Sequence, residues 1–345
     1  MVAVAPGAPR QISFLRRVLL GHDPVLLMAR KGRWQWPWAV AGIVLMGLVF
    51  ALLGGIAAQI IASLANAGWQ IDVDDSVFPI NPAQPLSYLN MVLVTLPFML
   101  APLIVLPLFH RVSWRSAFSF GVGFQWTQFL VTAAALTTVS VATLVISYAL
   151  DPAPYTFPAR APNYVLMAGL ALGVVFVQSL GEEVFFRGYL LRTVGAALPF
   201  RLPVTAAIIT LFVSGHLGND DLEQDFAFNI IYFVIIEVLA YALLFRTQNL
   251  AASAGIHWTN NVSALLAPTV PGQPTALAMI VYNDPVYAAG DTRLFDLGTH
   301  LAGVAGIATL IVLLYWRRSP FFIAKAPVPE VDPPSSLEPA PLAQS

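Results

Sequence analysis

Long apolar stretches, separated by short polar segments, follow one another along most of the chain. A helix needs about 20 apolar residues to cross the hydrocarbon layer of a membrane, and about eight stretches reach or approach that length. They are Trp38 to Leu64, Leu89 to Phe109, Phe129 to Leu150, Tyr164 to Phe186, Val204 to Gly215, Phe226 to Phe245, Leu250 to Ala267 and Leu297 to Trp316. The fifth is short, and the fourth can continue as a helix through Leu198. The pattern predicts an all-α fold, a polytopic transmembrane helical bundle of about eight helices.

The composition is also that of a membrane protein. Hydrophobic residues make up 58% of the chain and charged residues 10%, whereas a typical soluble domain is roughly 25% charged. The net charge of −1 gives no reason to expect nucleic-acid binding. The hydrophobic composition predicts that the chain is surrounded by the lipid bilayer. Cysteine is absent, which excludes disulfides, thiolate metal ligands and a cysteine nucleophile. Any catalysis must use serine, histidine or carboxylate chemistry.

The charged residues between the apolar stretches are sorted by sign. With a cytoplasmic N-terminus, only Arg160 and Arg293 of the 17 Lys and Arg residues fall on the outer side, where aspartates collect instead. This count assigns Arg187 to Leu202 to a cytoplasmic connection. The positive-inside rule then predicts that both termini are cytoplasmic. The expected location is the inner (plasma) membrane of a bacterium.

One membrane domain is predicted over residues 34–322, with an additional segment at each end. Residues 1–33 are basic, and their apolar residues fit either a helix lying on the inner leaflet or a leader that only sets the topology. Residues 323–345 are rich in proline and poor in bulky apolar residues, which is typical of a disordered tail.

Two adjacent glutamates, Glu182 and Glu183, follow the apolar run VLMAGLALGVVFVQ in the fourth stretch. Charge at membrane depth is costly and is usually retained for a function. Residues four apart share a helix face, so Glu183 faces Arg187 and the two can neutralise each other. Glu182 lacks that partner. A carboxyl group in an apolar cavity without a cation is suited to act as a general base or acid.

Two of the five histidines lie in the apolar stretches that follow. His216 ends FVSGH in the fifth stretch, and His257 in GIHWTNN shares a helix face with Asn261. If the fourth and fifth helices form a hairpin, Glu182 and His216 lie ~24 Å and ~20 Å from its turn, and are therefore level. His257 lies only ~10 to 12 Å from the start of its own segment, so it reaches that height only if the segment begins deeper or tilts.

Three other polar residues lie near these motifs. Glu237, within YFVIIEVLAY, fits a hydrogen bond or a protonated acid facing a neighbouring helix better than a place among the reacting groups. Ser179 and Ser214 lack the G-x-S-x-G setting that would indicate a nucleophile.

Three motifs occur in order: EEVFFR matches E-E-x-x-x-R, FVSGH matches F-x-x-x-H, and HWTNN matches H-x-x-x-N. Over about Val175 to Leu265, the chain thereby resembles the CAAX-protease and bacteriocin-processing (CPBP/Abi) family of intramembrane peptidases. This family includes the type II CAAX prenyl endopeptidases and many bacterial proteins of the Abi type. The resemblance implies hydrolysis of a peptide bond inside the membrane, with a peptide or a membrane protein as substrate.

The resemblance also implies roles for the motif residues. Glu182 would activate the attacking water, His216 and His257 would complete the polar centre, and Asn261 would stabilise the oxyanion. An amide donor aimed at an oxyanion is worth about 10²–10³ in rate. The remaining two motif residues, Glu183 and Arg187, resemble a pair that orients Glu182.

Family members are often described as metalloproteases, and one carboxylate with two imidazoles would supply the three protein ligands of a catalytic zinc. A divalent metal held by Glu182, His216 and His257 would occupy the carboxylate that serves as base, and no H-E-x-x-H motif divides the two tasks. Two mechanisms therefore stay open: a metal-bound water, which the usual description of the family favours, and a metal-free water activated by Glu182.

Two other functional classes fit the same residues. A transporter also uses intramembrane ionisable groups, but it would be expected to show inverted repeats and paired broken helices, and neither is apparent. A non-catalytic immunity or scaffold protein on the same fold would keep the motifs without turnover. The intramembrane peptidase best explains why all three motifs occur together.

Overall fold

The computed structural model describes residue 26 and residues 32–69, 85–119, 123–158, 163–198, 200–217, 226–266 and 278–282. The helices in these ranges are α1 (Trp36–Asn66), α2 (Pro85–Val105), α3 (Trp126–Leu150), α4 (Tyr164–Glu182), α5 (Leu191–Ala197), α6 (Arg201–Ser214), α7 (Phe226–Thr247) and α8 (Leu250–Leu266). The short strands β1 (Tyr155–Thr156) and β2 (Val281–Tyr282) pair antiparallel. The predicted fold class, a helical transmembrane bundle, is confirmed.

Five helices within the described ranges are long and apolar enough to cross a membrane. These spans are Trp36–Asn66, Tyr88–His110, Trp126–Leu150, Tyr164–Ala197 and Ile230–Thr247. The fifth and seventh predicted stretches are the shorter helices α6, with 14 residues, and α8, with 17. The eighth stretch, the predicted tail and most of the basic N-terminal segment lie outside the described residues. The chain is a multi-pass membrane protein.

The fourth crossing is one long helix with a widened middle. It passes from α4 through a π-helical segment, Glu183–Leu190, into α5. A π-helical turn accommodates an extra residue, is rare, and is frequently found at functional sites. As the sequence predicted, the helix continues close to Leu198.

Two arginines assigned to the cytoplasmic connection after this crossing are instead buried in the bundle. Arg187 is 1% exposed and Arg192 is 3% exposed. Each has an acceptor on another part of the chain: Arg187 bonds to Glu237, and Arg192 bonds to the carbonyl oxygen of Ser116. Neither residue therefore counts as a loop charge. The cytoplasmic location of the termini stays a prediction that rests on the other basic residues.

Helix α8 occupies the centre of the bundle, where it packs against α3, α4 and α7. Every residue from Leu250 to His257 is buried, so its first two turns have protein on all sides. Asn249 caps the start of the helix, because its side-chain oxygen accepts from the amide of Ala251 at 2.9 Å and its side-chain nitrogen donates to the carbonyl of Gly123 at 2.6 Å. The start of the helix is thus buried beside the connection between α2 and α3.

Helices α3 and α8 approach each other closely at Gly255. A Cβ atom at this position would lie 2.2 Å from Thr132 Oγ1 and 2.6 Å from the carbonyl oxygen of Phe129. We predict that Gly255→Ala lowers the free energy of unfolding by about 1–3 kcal/mol, because the backbone of α3 must move to admit the methyl group. Gly54→Ala in α1 is the control, since a Cβ there meets nothing within 4 Å. Thermal unfolding in detergent compares the variants, and equal stability would contradict this close contact.

Candidate active site

Polar side chains from α4 and α8 meet inside the bundle. Glu182 ends α4, Glu183 begins the π-helical segment, and His257 and Asn261 lie one turn apart on α8. Glu182 and His257 are 8% and 7% exposed, and Glu183 is fully buried. Because α8 packs against both α4 and the π-helical segment, four of the motif residues come together at one place.

The imidazole of His257 lies between the two glutamates. Its Nδ1 atom is 3.0 Å from Glu183 Oε1, and its Nε2 atom is 3.3 Å from Glu182 Oε2. An ionised carboxylate only accepts, so Nδ1–H donates to Glu183. This hydrogen bond sets the orientation of the ring and directs Nε2 toward Glu182.

The two oxygens of Glu182 differ in their surroundings. Oε1 accepts a hydrogen bond from Gln178 Nε2 at 2.5 Å. Oε2 is buried and has no hydrogen-bond donor among the described residues, since His257 Nε2 approaches it without hydrogen-bond geometry. Oε1 therefore holds the carboxylate in place, and Oε2 accepts no hydrogen bond from the described residues. A general base needs an oxygen that can accept the proton of water.

Asn261 is linked to Glu182 through Gln178, a residue that the sequence analysis did not single out. Asn261 Nδ2 donates to Gln178 Oε1 at 2.9 Å and approaches Ser179 Oγ at 3.4 Å. Ser179 Oγ also donates to Gln178 Oε1, at 3.2 Å. The signal that could have found Gln178 is its spacing, four residues before Glu182 on the same helix face.

Glu183 is the acceptor for several donors. The predicted pair with Arg187 forms, and Ser253 Oγ donates to Glu183 Oε2 at 2.7 Å. Arg187 Nη2 also donates to Glu237 Oε1 on α7 at 2.7 Å, and its guanidinium lies 4.7 Å from the centroid of the Tyr241 ring. The hydrogen bond predicted for Glu237 thus forms to a neighbouring helix, and its partner is the orienting arginine. A buried cation between two carboxylates joins the π-helical segment to α7, and Ser253 joins it to α8.

His216 lies beside this group and is less enclosed. Its Nδ1 atom is 2.8 Å from the carbonyl oxygen of Phe212, and its ring centroid is 4.4 Å from that of Phe212. The Phe212 ring also contacts His257, with 5.8 Å between centroids. His216 is near enough to Glu182 to interact electrostatically. The phenylalanine of the F-x-x-x-H motif therefore touches both histidines.

The three predicted metal ligands, Glu182, His216 and His257, are not grouped as a metal site in the structure. Over the described ranges, no three His, Asp or Glu side chains are grouped so that they could hold a metal ion. Glu182 Oε2 and His257 Nε2 are adjacent, but a catalytic zinc uses three protein ligands. The metal stays a prediction from the resemblance.

Comparisons with known proteins point to the same part of the chain. Residues 163–263 match the family described as Type II CAAX prenyl endopeptidase Rce1-like, so the resemblance predicted from the three motifs is confirmed for this region. The chain is also similar to a protein of Bacillus subtilis (strain 168) described as "Uncharacterized protein YyaK". The two are 25% identical over 297 residues, which cover 82% of this chain and 93% of that protein. No solved structure matches significantly.

We predict that Arg187→Ala sharply reduces the yield of folded protein, because it leaves Glu183 and Glu237 buried without their shared cation. Removing one partner of a buried ion pair costs about 3–5 kcal/mol. Glu182→Gln is the matched comparison: it keeps the shape of the side chain and an oxygen that can accept from Gln178, so near wild-type stability is expected. Size-exclusion yield and thermal unfolding in one detergent measure both. Equal losses of folded protein in the two variants would contradict the distinction between Glu183, which is part of a buried ion pair, and Glu182, which is not.

Proposed function

We propose that the protein is an intramembrane endopeptidase that hydrolyses a peptide bond with water activated by Glu182. The observation that carries the proposal is Glu182 Oε2, which is buried next to His257 and accepts no hydrogen bond from the described residues, while Oε1 is held by Gln178. The match of residues 163–263 to CAAX-type prenyl endopeptidases supports the class of reaction. The sorting of loop charges supports a location of both termini in the cytoplasm. The similarity to a Bacillus subtilis protein supports a location in the inner (plasma) membrane of a bacterium.

The first chemical step is attack by water. A water molecule that donates to Glu182 Oε2 gives up that proton as its oxygen forms a bond to the carbonyl carbon of the substrate. The electrons of the C=O double bond move onto the carbonyl oxygen and create the oxyanion. General base catalysis of this kind contributes about 10²–10⁴ in rate.

The second step is collapse of the tetrahedral intermediate. Glu182 returns the proton to the amide nitrogen as the C–N bond breaks, which releases an amine and a carboxylic acid and restores the ionised carboxylate. The resemblance assigns the oxyanion to Asn261. In the imidazolium form both ring nitrogens of His257 donate, and Nε2, 3.3 Å from Glu182 Oε2, is then a second candidate donor to the oxyanion.

The two adjacent glutamates take different roles because their donors differ. Glu183 accepts from Arg187, Ser253 and His257, so both of its oxygens are engaged and it holds the imidazole. On Glu182, Oε1 alone accepts a hydrogen bond from the described residues. Pairs of carboxylates whose surroundings differ in this way are a recurring basis for dividing catalytic tasks.

A metal is not required by this mechanism. Glu182 and His257 supply two adjacent donors, and the part of the chain that the structure describes groups no third one with them. The proposed steps therefore use the carboxylate alone, and we expect cleavage to continue in the presence of a chelator.

Cleavage of a fluorogenic membrane-peptide library in proteoliposomes tests the proposal. We expect the wild type to cleave and Glu182→Gln to lose at least about 100-fold in kcat, because the amide cannot accept the proton of water. Ser214→Ala is the control, since the hydroxyl of this exposed serine donates, among the described residues, to the carbonyl of Leu211 in its own helix, and it should cleave at the wild-type rate.

Each outcome of this assay distinguishes the alternatives. Full activity of Glu182→Gln would refute the proposed base. Loss of wild-type activity with a chelator would assign the water to a metal. A folded wild type that cleaves nothing would count against the peptidase and in favour of a non-catalytic immunity or scaffold protein.

A further inference from the structure

We propose that Gln178 is a positioning residue and that Asn261 acts on Glu182 through it. This inference rests on the proposed function, because it concerns how the base is held. Gln178 is 5% exposed and lies on α4, one turn before Glu182. Its side-chain amide contacts Glu182 at one end and Asn261 at the other.

The neighbours of Gln178 determine which way its amide points. Oε1 accepts from Asn261 Nδ2 at 2.9 Å and from Ser179 Oγ at 3.2 Å. With the oxygen fixed by two donors, Nε2 is directed at Glu182 Oε1, 2.5 Å away. The reversed amide would place its oxygen against the carboxylate and its NH₂ group against the NH₂ group of Asn261, and both contacts would be repulsive.

Asn261 is itself oriented by a chain of donors. Tyr232 Oη donates to Asn260 Oδ1 at 2.5 Å, and Asn260 Nδ2 donates to Asn261 Oδ1 at 3.3 Å. From Tyr232 through Asn260, Asn261 and Gln178, each group therefore donates to the next, and the last acceptor is Glu182. We call these five residues the donor chain. Successive hydrogen bonds in a buried network polarise one another, so the last, charge-assisted bond is strengthened.

The donor chain selects the oxygen of Glu182 that reacts. Gln178 occupies Oε1 and leaves Oε2, next to His257, for water. Without Gln178, the carboxylate loses its described hydrogen-bond donor and can rotate away from His257. The Nδ2 group of Asn261 is already engaged by Gln178 and Ser179, so donation to an oxyanion would require it to give up one of these contacts. The arrangement therefore favours an effect of Asn261 on the base.

A double-mutant cycle tests this coupling. Gln178→Met and Asn261→Leu remove the polar groups at similar volume, and kcat and KM are measured for wild type, both single variants and the double variant on the same membrane peptide. We expect each single variant to lose roughly 10- to 100-fold in kcat at unchanged KM, the effect of a hydrogen bond to a charged group. The loss in kcat of the double variant should be no larger than that of the less active single variant, because one interaction cannot be removed twice.

Two controls separate this inference from the proposed function. Thr138→Ala changes an exposed residue of α3 whose hydroxyl donates to the carbonyl of Ala134 in the same helix, and it should change kcat less than about 3-fold. Glu182→Gln sets the background rate. If this variant is inactive but the kcat losses of Gln178→Met and Asn261→Leu multiply in the double variant, the peptidase proposal stands and the coupling is overturned. Unchanged kcat in Gln178→Met also overturns the coupling. Absence of wild-type cleavage overturns both proposals.

A second measurement does not depend on turnover. The infrared carboxylate band that disappears in Glu182→Gln reports the hydrogen bonds of Glu182. Both Gln178→Met and Asn261→Leu should shift this band by similar amounts, and the double variant should shift it no further. A band that moves in Gln178→Met but not in Asn261→Leu would show that Asn261 does not act through Gln178.

Discussion

The buried carboxylate of Glu183 is the constraint on which the rest of the site depends. A charge taken out of water is tolerated only when it is paired and hydrogen-bonded. Glu183 meets this condition through Arg187 on its own helix and through Ser253 and His257 on α8. Arg187 in turn requires Glu237 on α7. Neutralising one anion therefore fixes three helices relative to one another, and the imidazole that faces Glu182 is part of that arrangement.

Glu182 differs from Glu183 in its hydrogen-bond donors. The same imidazole approaches both glutamates, but only Glu183 receives it in hydrogen-bond geometry. Glu182 instead takes its described donor, Gln178, from one turn earlier on α4. A carboxylate with donors on both oxygens and one with a donor on a single oxygen thus lie side by side, and pre-organised surroundings of this kind are what a catalytic group needs.

Local patterns predicted much of this arrangement, and long-range contacts account for what they missed. Apolar stretches predicted the helices, and the four-residue rule predicted the pair of Glu183 and Arg187, because both depend only on neighbours in sequence. The bond from Arg187 to Glu237 joins residues 50 apart and leaves no periodic signal. Arg187 and Arg192 were assigned to a connection because a hydropathy pattern treats every charged residue as exposed. A charged side chain can instead be buried in the bundle when a buried partner accepts its hydrogen bonds. Whether the motif residues act as predicted is a matter for the cleavage assay.

The position of α8 explains how so polar a helix is accommodated in a membrane protein. Ionisable residues inside a membrane face the interior of the bundle, away from lipid. Helices α3, α4 and α7 surround α8, and its early residues are small, from Ala251 to Gly255, so the neighbouring backbones approach closely. With its first two turns enclosed by protein, the 17-residue helix α8 need not match the thickness of the bilayer. The same small residues that make α8 weakly hydrophobic therefore place His257 and Asn261 against α4, where the two glutamates and Gln178 lie.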